Sequence, residues 1–499
     1  MMQYRRKIVF DMNFQIIPCS PTKVRLRCEA ILKSIPRNNF CRNGLMYKNM
    51  TQKIYNTLSQ KMEVLETITP GKINFFVCGP TVYDMPHLGH AKTYIQFDAI
   101  VRYLRFRGFE VFYLQNITDI DDKIITRAAE QGIGFDALAR KFEAVYLEDM
   151  AALHVTGVTK YIRSTDYIEE VVSQVERLMA QGFAYQTSDG IYFEIAKFAD
   201  YGKLSKRNDV AKDDAVSRID ASSEKRGWND FCLWKNSKEG EPSWETRIGT
   251  GRPGWHIEDT AMTEKFFGPQ YDIHGGAVDL IFPHHEAELT QMEALSGKSP
   301  FVRHWMHTGF LNIDSEKMSK SKGNFKTIRE ALVEYDYRVL RLFFISSQYR
   351  SMMDFSKRAL LQAKQTLTSI DEFVFRIDRE YDDAENELIV MKLREDIVSA
   401  MENDFNTPQV FAALFEFMKV QSGKKSGKRV FSLFQELQSF LDIFQLDGES
   451  EDEEIEKLIE KRNAYRAEGN YAEADVIRDQ LLAMGIKLYD ENGKTKYRR

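Results

Sequence analysis

The stretch INFFVCGPTVYDMPHLGHAKTYIQFDAIVRYLRFRGFEVFYLQNITDIDD, residues 73–122, holds three structural elements in a row. It begins with a short apolar run that ends at Gly-Pro, which is typical of a buried strand. Apolar residues at helical spacing follow as far as Gly108, and a second apolar run begins at Phe109. A strand, a helix and a strand of this length predict two parallel strands joined by a right-handed crossover.

Polar residues lie at the points where both predicted strands end. Cys78 ends the first strand, and the run 116–122 ends the second. Ligands of parallel α/β sheets bind beyond the carboxyl ends of the strands. The sequence therefore predicts a binding site at this edge of the sheet.

Two histidines, His87 and His90, flank Leu-Gly at the start of the predicted helix. A helix N-terminus attracts phosphate, and two residues three apart lie on the same side of the turn. The pair can stabilise negative charge that grows on a phosphoryl group. On this spacing alone, two ordinary surface histidines explain the pattern as well.

Composition limits the class of protein. The chain has 499 residues, enough for two to four domains, and no apolar run reaches the ~18 residues of a membrane span. Only two of the five cysteines, Cys78 and Cys232, lie beyond residue 50. This pattern excludes a disulfide scaffold and favours a reducing cytoplasm. Cys232 stands in an apolar, strand-like segment, where a core position is expected.

Residues 1–50 differ from the rest of the chain. They carry ten basic and two acidic residues, a net charge of +8, whereas the remainder carries −13. A targeting leader, a basic extension and a mis-assigned start before Met50 all fit, and we expect the segment to be poorly ordered. Because the remainder is acidic, any nucleic acid must bind to local basic patches.

A second motif lies about 230 residues after the histidine pair. The segment EKMSKSKGN, residues 316–324, combines lysines, serines and a closing glycine, which suits a cationic loop for a polyphosphate. Alone it also fits an ordinary solvated loop. Together, HLGH and KMSKS resemble the signature pair of class I aminoacyl-tRNA synthetases. The resemblance implies that His87, His90, Lys317 and Lys320 act on ATP while an amino acid carboxylate attacks its α-phosphorus.

Further stretches narrow the resemblance to the cysteinyl-tRNA synthetase family. They are FVCGPTVYD, NITDIDDKI, GRPGWHIED, DIHGGAVDLIFPHHEAE and HTGFLNIDSEKMSKSKGNF, and the likeness covers roughly residues 53–499. It implies a cysteine–tRNA ligase that uses L-cysteine, ATP with Mg²⁺ and tRNA(Cys). It also implies a cytoplasmic monomer that does not bind a membrane.

In that family a zinc ion binds the substrate thiolate. The positions that match its protein ligands are Cys78, Asp259, His284 and Glu288. Asp259 stands where the family has a second cysteine, so a carboxylate would replace a thiolate. A hydrophobic pocket separates cysteine from serine poorly, whereas zinc binds a thiolate strongly and a hydroxyl weakly. The resemblance thus explains selection of cysteine without an editing domain.

The resemblance implies further site residues. Those of the amino acid pocket are Gly79, Thr81, Thr118, Trp255 and His256. Those of the nucleotide-binding stretch are Gly275, Gly276 and Asp279, and those that would read the anticodon are Arg466, Tyr471 and Asp475. Tyr471 can stack on an unpaired base, and the two charged residues can contact base edges.

The predicted fold class is α/β. We expect a Rossmann-like catalytic domain with a parallel sheet over residues 51–300, with a connective insertion at about 155–225. A region that carries KMSKS and contacts the tRNA stem follows at 301–355, then an α-helical bundle at 356–446. A small anticodon-binding domain at 447–499 is expected to hold two helices and a short basic end.

Two other functions remain open on the sequence. A paralogue could activate cysteine and pass it to a sugar amine, but such paralogues lack an anticodon-binding end. A non-catalytic tRNA-binding relative would tend to lose catalytic residues, and this chain keeps both motifs.

Overall fold

The computed structural model describes residues 51–207, 222–317, 324–446, 453–484, 486–491 and 494–498. Residues 1–50, Lys320 and part of the predicted insertion, 208–221, lie outside the described residues. All described residues belong to one unit, Met50–Arg499. No helix within the described ranges is long and apolar enough to cross a membrane.

The elements run in chain order as follows. The strands are β1 (Lys53–Asn56), β2 (Lys61–Val64), β3 (Lys72–Val77), β4 (Glu110–Ile117), β5 (Lys160–Arg163), β6 (Ala184–Gln186), β7 (Gly190–Phe193), β8 (Phe231–Asn236), β9 (Gly251–Pro253), β10 (Tyr271–Ala277), β11 (Val302–Thr308), β12 (Leu311–Ile313), β13 (Glu316–Lys317), β14 (Met353–Phe355), β15 (Lys487–Glu491) and β16 (Lys494–Arg498). The helices are α1 (Leu88–Phe106), α2 (Asp122–Gln131), α3 (Phe135–Ala152), α4 (Ile168–Ala180), α5 (Trp255–Phe267), α6 (Glu286–Ser296), α7 (Ile328–Glu334), α8 (Tyr337–Ile345), α9 (Lys357–Phe375), α10 (Glu387–Glu402), α11 (Thr407–Val420), α12 (Lys428–Leu441), α13 (Glu453–Ala467) and α14 (Tyr471–Ala483).

A five-stranded parallel sheet forms the centre, in the order β11-β10-β3-β4-β5. The predicted parallel pair is confirmed, since β3 and β4 pair from Lys72↔Glu110 to Val77↔Gln115. The chain adds strands on one side of β3 with β4 and β5, and on the other side with β10 and β11. The strand order therefore reverses between β3 and β10, which is where such sheets bind ligands.

The predicted α/β class with a helical bundle after the sheet is confirmed. The boundary predicted at residue 300, however, cuts through the central sheet. Strand β11, which starts at Val302, pairs with β10 in parallel and so belongs to that sheet. A run of sequence that follows a helix and a turn does not reveal which edge of a sheet it joins.

The inserted segment builds a second sheet. Strands β6, β7, β8 and β9 form four antiparallel strands, so this part reaches Pro253 rather than the predicted limit near residue 225. Cys232 lies within β8 and is 2% exposed, which confirms its predicted core position.

Helix α1 begins and ends where the sequence predicts. His87 is its N-cap, and Gly108 follows its end with a φ of 92°, which glycine adopts without strain. The helix is buried along most of its length because it packs against the sheet on one side and against α8 and α12 on the other. It is the element through which the catalytic sheet and the bundle share one core.

The C-terminal region follows the prediction only in part. The helical bundle predicted from residue 356 begins with α9, which buries Leu360, Leu367, Ile370 and Val374. Helices α13 and α14 lie where two helices were expected. The expected short basic end is instead an antiparallel hairpin, β15–β16, which adds Tyr497 to a small separate core.

A buried ion pair joins α1 to α8. Arg341 donates to Asp98 Oδ2 at 2.8 Å, and neither side chain is exposed. Its remaining N–H groups donate to the carbonyls of Leu153, His154 and Leu441. Because Arg341 and Asp98 compensate each other and also hydrogen-bond to the backbone, neither charge is buried without a partner.

Replacement of Arg341 by alanine should be strongly destabilising, because Asp98 would remain buried without its cation. We expect Arg341→Ala to lower the free energy of unfolding by about 3–5 kcal/mol in urea titrations. The matched control is Lys72→Ala, which breaks the exposed pair with Glu110 and should cost less than about 1 kcal/mol. Equal losses of unfolding free energy in the two variants would show that the buried pair stabilises the fold no more than the exposed pair.

Candidate active site

The site begins where β3 meets β10. The N–H of Cys78, the first residue after β3, donates to the carbonyl of Gly275 at 3.0 Å. The N–H of Gly79 donates to Asn116 Oδ1 at 2.5 Å. A Cβ on Gly79 would lie 1.7 Å from the carbonyl oxygen of Asn116, so only glycine fits there. The loop after β3 is therefore held tightly against the ends of β4 and β10.

The four predicted metal ligands converge at this point. Nε2 of His284 lies 3.1 Å from Oδ2 of Asp259 and 3.2 Å from Oε1 of Glu288. The same nitrogen lies 3.6 Å from Sγ of Cys78, and all four side chains are buried. Zinc bonds of about 2.0–2.3 Å place tetrahedral ligand atoms roughly 3.3–3.8 Å apart. The three distances from this nitrogen are close to those separations, and the ligand atoms of Asp259, His284 and Glu288 all lie within 4.8 Å of one another.

The charges of this cluster also fit a cation. Burial raises the pKa of Glu288, and the charge of Asp259 raises it further. Among the described residues, neither carboxylate oxygen of Glu288 accepts a hydrogen bond. Burial, followed by Asp259 and Glu288, raises the pKa of the Cys78 thiol. A divalent cation would compensate these crowded acidic groups, so the residues present fit the zinc that the sequence predicts.

Three neighbours fix the orientation of the cluster. Nδ1 of His256 lies 2.8 Å from Nδ1 of His284, so one of the two rings donates to the other. The ring of Trp255 stacks on the ring of His284 at a centroid distance of 4.1 Å. Nδ2 of Asn116 donates to Oδ1 of Asp259 at 2.6 Å. Trp255 and His256, predicted to line the amino acid pocket, thus contact one of the predicted metal ligands directly.

Further histidines behind the cluster were missed by the sequence analysis. Nδ1 of His285 lies 2.9 Å from Nε2 of His307, and Nδ1 of His274 lies 2.6 Å from the Tyr271 hydroxyl. Burial lowers the pKa of all three histidines, that of His307 to about 3, so the rings are neutral. Their sequence signal was one histidine in the middle of β10, one near the carboxyl end of β11 and one just before α6.

The histidine pair lies at the start of α1, as predicted. The rings of His87 and His90 stack at a centroid distance of 3.8 Å. Nδ1 of His87 accepts from the N–H of Gly89, and Nδ1 of His90 accepts from the N–H of His87. Burial and the neighbouring His87 lower the pKa of His90. Each Nδ1 is an acceptor, so the proton of a neutral ring is on Nε2, where it can be donated to an anion.

Tyr94 and a backbone pairing join the histidine pair to the other predicted elements. The Tyr94 hydroxyl donates to the carbonyl of Cys78 at 3.3 Å, and its ring stacks on His90. The N–H of Leu88 donates to the carbonyl of Lys326, and that of Ile328 donates to the carbonyl of Pro86. The chain just after the KMSKS motif is therefore fastened to the start of α1. Tyr94 gave no signal in the sequence beyond its place on the helix.

Comparison with known proteins decides the family. A family model described as the tRNA synthetases class I (C) catalytic domain matches residues 64–365. A DALR domain matches residues 397–445, and a Cysteinyl-tRNA ligase anticodon binding domain matches residues 450–498. The chain belongs to the cysteinyl-tRNA synthetase family. It is therefore an aminoacyl-tRNA synthetase of class I, as the two motifs predicted.

Relatives in this family match almost from end to end. A cysteine–tRNA ligase of Thermoplasma acidophilum is 43% identical over 451 residues, which cover 89% of this chain and 99% of the relative. One from Geobacter sulfurreducens is 43% identical over 486 residues, 90% of this chain and all of the relative. A Mycobacterium tuberculosis methionyl-tRNA synthetase structure in complex with methionyl-adenylate gives a TM-score of 0.55 at 18% identity, over 74% of this chain and 88% of that one. The last likeness concerns the fold alone.

A cavity of about 330 Å³ opens beside the four predicted metal ligands. Thr81, Trp255 and His256 line it, together with Trp228 and Lys235 from the inserted segment. Thr81 also forms a backbone bridge with Thr118, so these two predicted residues of the amino acid pocket lie side by side just beyond β3 and β4. The described part of the insertion thus forms one wall of the space next to the metal ligands.

The predicted nucleotide-binding residues do not all face one space. A Cβ on Gly275 would lie 2.6 Å from Cζ of Phe97, and one on Gly276 would lie 2.6 Å from Cε1 of His285. Packing alone therefore requires both glycines. Asp279 is exposed in the turn Val278–Leu280. Lys317 ends β13, and its side chain, like all of Lys320, lies outside the described residues.

The predicted anticodon residues lie on α13 and α14. Tyr471 is 64% exposed at the first position of α14, where a base could stack on its ring. Arg466 forms an ion pair with Asp490, and Asp475 forms one with Arg478 at 2.9 Å. To contact a base edge, either charged residue would share or exchange its present partner.

The contact between Gly275 and Phe97 can be tested by size compensation. Gly275→Ala should lower the free energy of unfolding by about 1–3 kcal/mol, because the new methyl group meets the ring. In a Phe97→Leu background the same change should cost much less, since the ring atoms at the contact are absent. An undiminished loss would contradict this packing. A KM for ATP that stays raised in the double variant would support the predicted nucleotide role of Gly275.

Proposed function

We propose that this chain activates L-cysteine with ATP to cysteinyl-adenylate and pyrophosphate, and transfers the cysteine to the 3′ end of tRNA(Cys). One observation carries the proposal: the buried cluster around Cys78 and the stacked histidine pair meet at the point where the strand order reverses. The first group suits the amino acid side chain, and the second suits the phosphates. Tyr94 contacts both groups and lies between them.

The histidine pair contributes hydrogen-bond donors to the phosphates. His87 and His90 are held by backbone hydrogen bonds at the N-terminus of α1, where the helix also favours negative charge. Donors that are already oriented stabilise charge in the transition state without reorganisation. Lys317 and Lys320 would supply positive charge from the KMSKS segment, whose far end is fastened to the same helix start. ATP enters this site with Mg²⁺.

The residues that would hold a zinc ion are Cys78, Asp259, His284 and Glu288. A zinc ion bound there would hold the substrate as a thiolate and so favour cysteine over serine. The protein itself orients these ligands: His256 and Trp255 fix the ring of His284, and Asn116 fixes Asp259. The cavity beside Trp255 then has room for the rest of the amino acid.

A match to the anticodon-binding domain argues against the sugar-amine paralogue. Residues 450–498 match this domain, and such paralogues lack it. The exposed ring of Tyr471 supports tRNA as the acceptor. In this proposal Arg466 and Asp475 contact bases beside that ring.

Charging of tRNA tests the proposed function, with His90→Ala as its internal probe. The full-length protein with ATP, Mg²⁺ and zinc should attach labelled cysteine, but not serine, to unfractionated tRNA. His90→Ala should slow ATP–pyrophosphate exchange by ~10²-fold or more, with cysteine binding largely kept, because one oriented donor is lost. Unchanged exchange in this variant would remove the role of His90. Absence of charging by the native chain would contradict the proposed function.

Removal of the Asp259 carboxylate tests the metal ligands. Asp259→Ala should lower the zinc content of the purified protein and weaken its preference for cysteine over serine. The matched control is Asp279→Ala, an exposed acidic residue outside the cluster, which should keep its zinc. If Asp259→Ala keeps both zinc content and selectivity, Asp259 is not a ligand.

A further inference from the structure

Asn116 uses its whole amide group at the metal cluster. It is fully buried at the end of β4. Its Oδ1 accepts from the N–H of Gly79 at 2.5 Å, and its Nδ2 donates to Oδ1 of Asp259 at 2.6 Å. The second hydrogen of Nδ2 is directed to the Thr118 hydroxyl at 3.3 Å. One side chain therefore connects the backbone beside Cys78 with the carboxylate of Asp259.

The orientation of this amide follows from its partners. The N–H of Gly79 is a donor, so it must face the amide oxygen of Asn116. The carboxylate of Asp259 is an acceptor when ionised, so it must face the amide nitrogen. In the reversed orientation the amide nitrogen would face the N–H of Gly79, donor against donor. The amide oxygen would face the carboxylate of Asp259, acceptor against acceptor. Gly79 lies very close to the backbone of Asn116, since a Cβ built on it would come within 1.7 Å of the Asn116 carbonyl oxygen.

The two oxygens of Asp259 have different partners. Oδ1 accepts the hydrogen bond from Asn116, whereas Oδ2 is the atom that lies 3.1 Å from Nε2 of His284. A carboxylate can bind a metal through one oxygen or through both, and a thiolate offers only one donor atom. A hydrogen bond that engages one oxygen favours binding through the other.

We propose that Asn116 is a positioning residue that makes Asp259 a single-oxygen ligand of the metal. This inference rests on the proposed metal site. Held in this way, Asp259 occupies one coordination position, as a cysteine would. With four protein ligands in place the substrate thiol would bind as a fifth ligand, and a carboxylate that bound through both oxygens would occupy that fifth position instead. Asn116 thus keeps a position of the metal open for substrate in a site where a carboxylate replaces a thiolate.

Metal binding by the full-length protein, without ATP or tRNA, tests the proposal. Zinc affinity is measured by competition with a chromophoric chelator for the native chain and for Asn116→Ala. We expect Asn116→Ala to weaken zinc binding by about 10–100-fold, which is typical for loss of a residue that orients a ligand. The matched control is Asn386→Ala, which removes another buried asparagine that donates to an aspartate, Asp383, outside the site and should leave zinc affinity close to that of the native chain.

The same substitution in an Asp259→Cys protein distinguishes an effect of Asn116 that acts through Asp259 from a general loss of structure. In Asp259→Cys protein there is no second oxygen to engage, so Asn116→Ala should change zinc affinity much less than in the native chain. If Asn116→Ala fails to fold, as judged by circular dichroism, Asn116→Asp replaces it in both backgrounds. That variant keeps an acceptor for Gly79 but removes the donor to Asp259, and the same difference between backgrounds is expected.

Cobalt gives a readout of the open position. With cobalt(II) in place of zinc, addition of L-cysteine to the native chain should strengthen the thiolate-to-cobalt absorption, because a second sulfur binds. In Asn116→Ala the increase should be smaller at saturating cobalt, because Asp259 can then occupy the position.

The outcomes are distinguishable. Equal zinc affinity in the native chain and Asn116→Ala, or an equal loss in the Asp259→Cys background, would overturn the role of Asn116 and leave the metal site in place. Failure of the native chain to bind zinc or cobalt would overturn the metal site together with this inference. If the native chain binds no metal but still charges tRNA, the proposed ligase activity stands and only the metal site is wrong.

Discussion

The backbone hydrogen bond from Cys78 to Gly275 joins the two halves of the catalytic sheet, and the rest of the site depends on it. Strand β3 has β4 on one side and β10 on the other, and the strand order reverses at this junction. From β4 comes Asn116, and beyond β10 the chain leads to His284 and Glu288. The helix that follows β3 carries the stacked histidines. One short loop after β3 therefore contacts Asn116 and His284 and leads into the histidine pair at the start of α1.

The site separates two kinds of charge. Burial keeps the histidines around the cluster neutral, and burial also raises the pKa values of Cys78 and Glu288. The rings thus supply hydrogen bonds rather than positive charge. In the proposed function a metal ion would balance the acidic cluster, and lysines of the KMSKS segment with Mg²⁺ would supply positive charge to ATP.

Much of this arrangement could be predicted from the sequence, because its signals are local. The strand, helix and strand of residues 73–122 follow from apolar spacing, and the two signature motifs identify their family. The contact between Asn116 and Asp259 joins residues 143 positions apart, and no local pattern reports it. The neutral histidines behind the cluster were missed because their pairing depends on how β10 and β11 align. The segment around Cys232 was predicted as strand-like, but no local pattern reports which strands pair in the antiparallel sheet of the insertion or in the C-terminal hairpin.

The enclosed pair of Asp98 and Arg341 has a consequence for how this protein can change over evolutionary time. Arg341 reaches the carbonyl of Leu441 at the last turn of the bundle helix α12, and Asp98 accepts from the backbone that leads into β5. A recombination event that exchanged the bundle alone would have to bring the end of a helix to the same place beside Arg341. The catalytic sheet and the bundle are therefore expected to be inherited as one piece, whereas the small C-terminal unit, with its own core, is free to be gained or lost by itself.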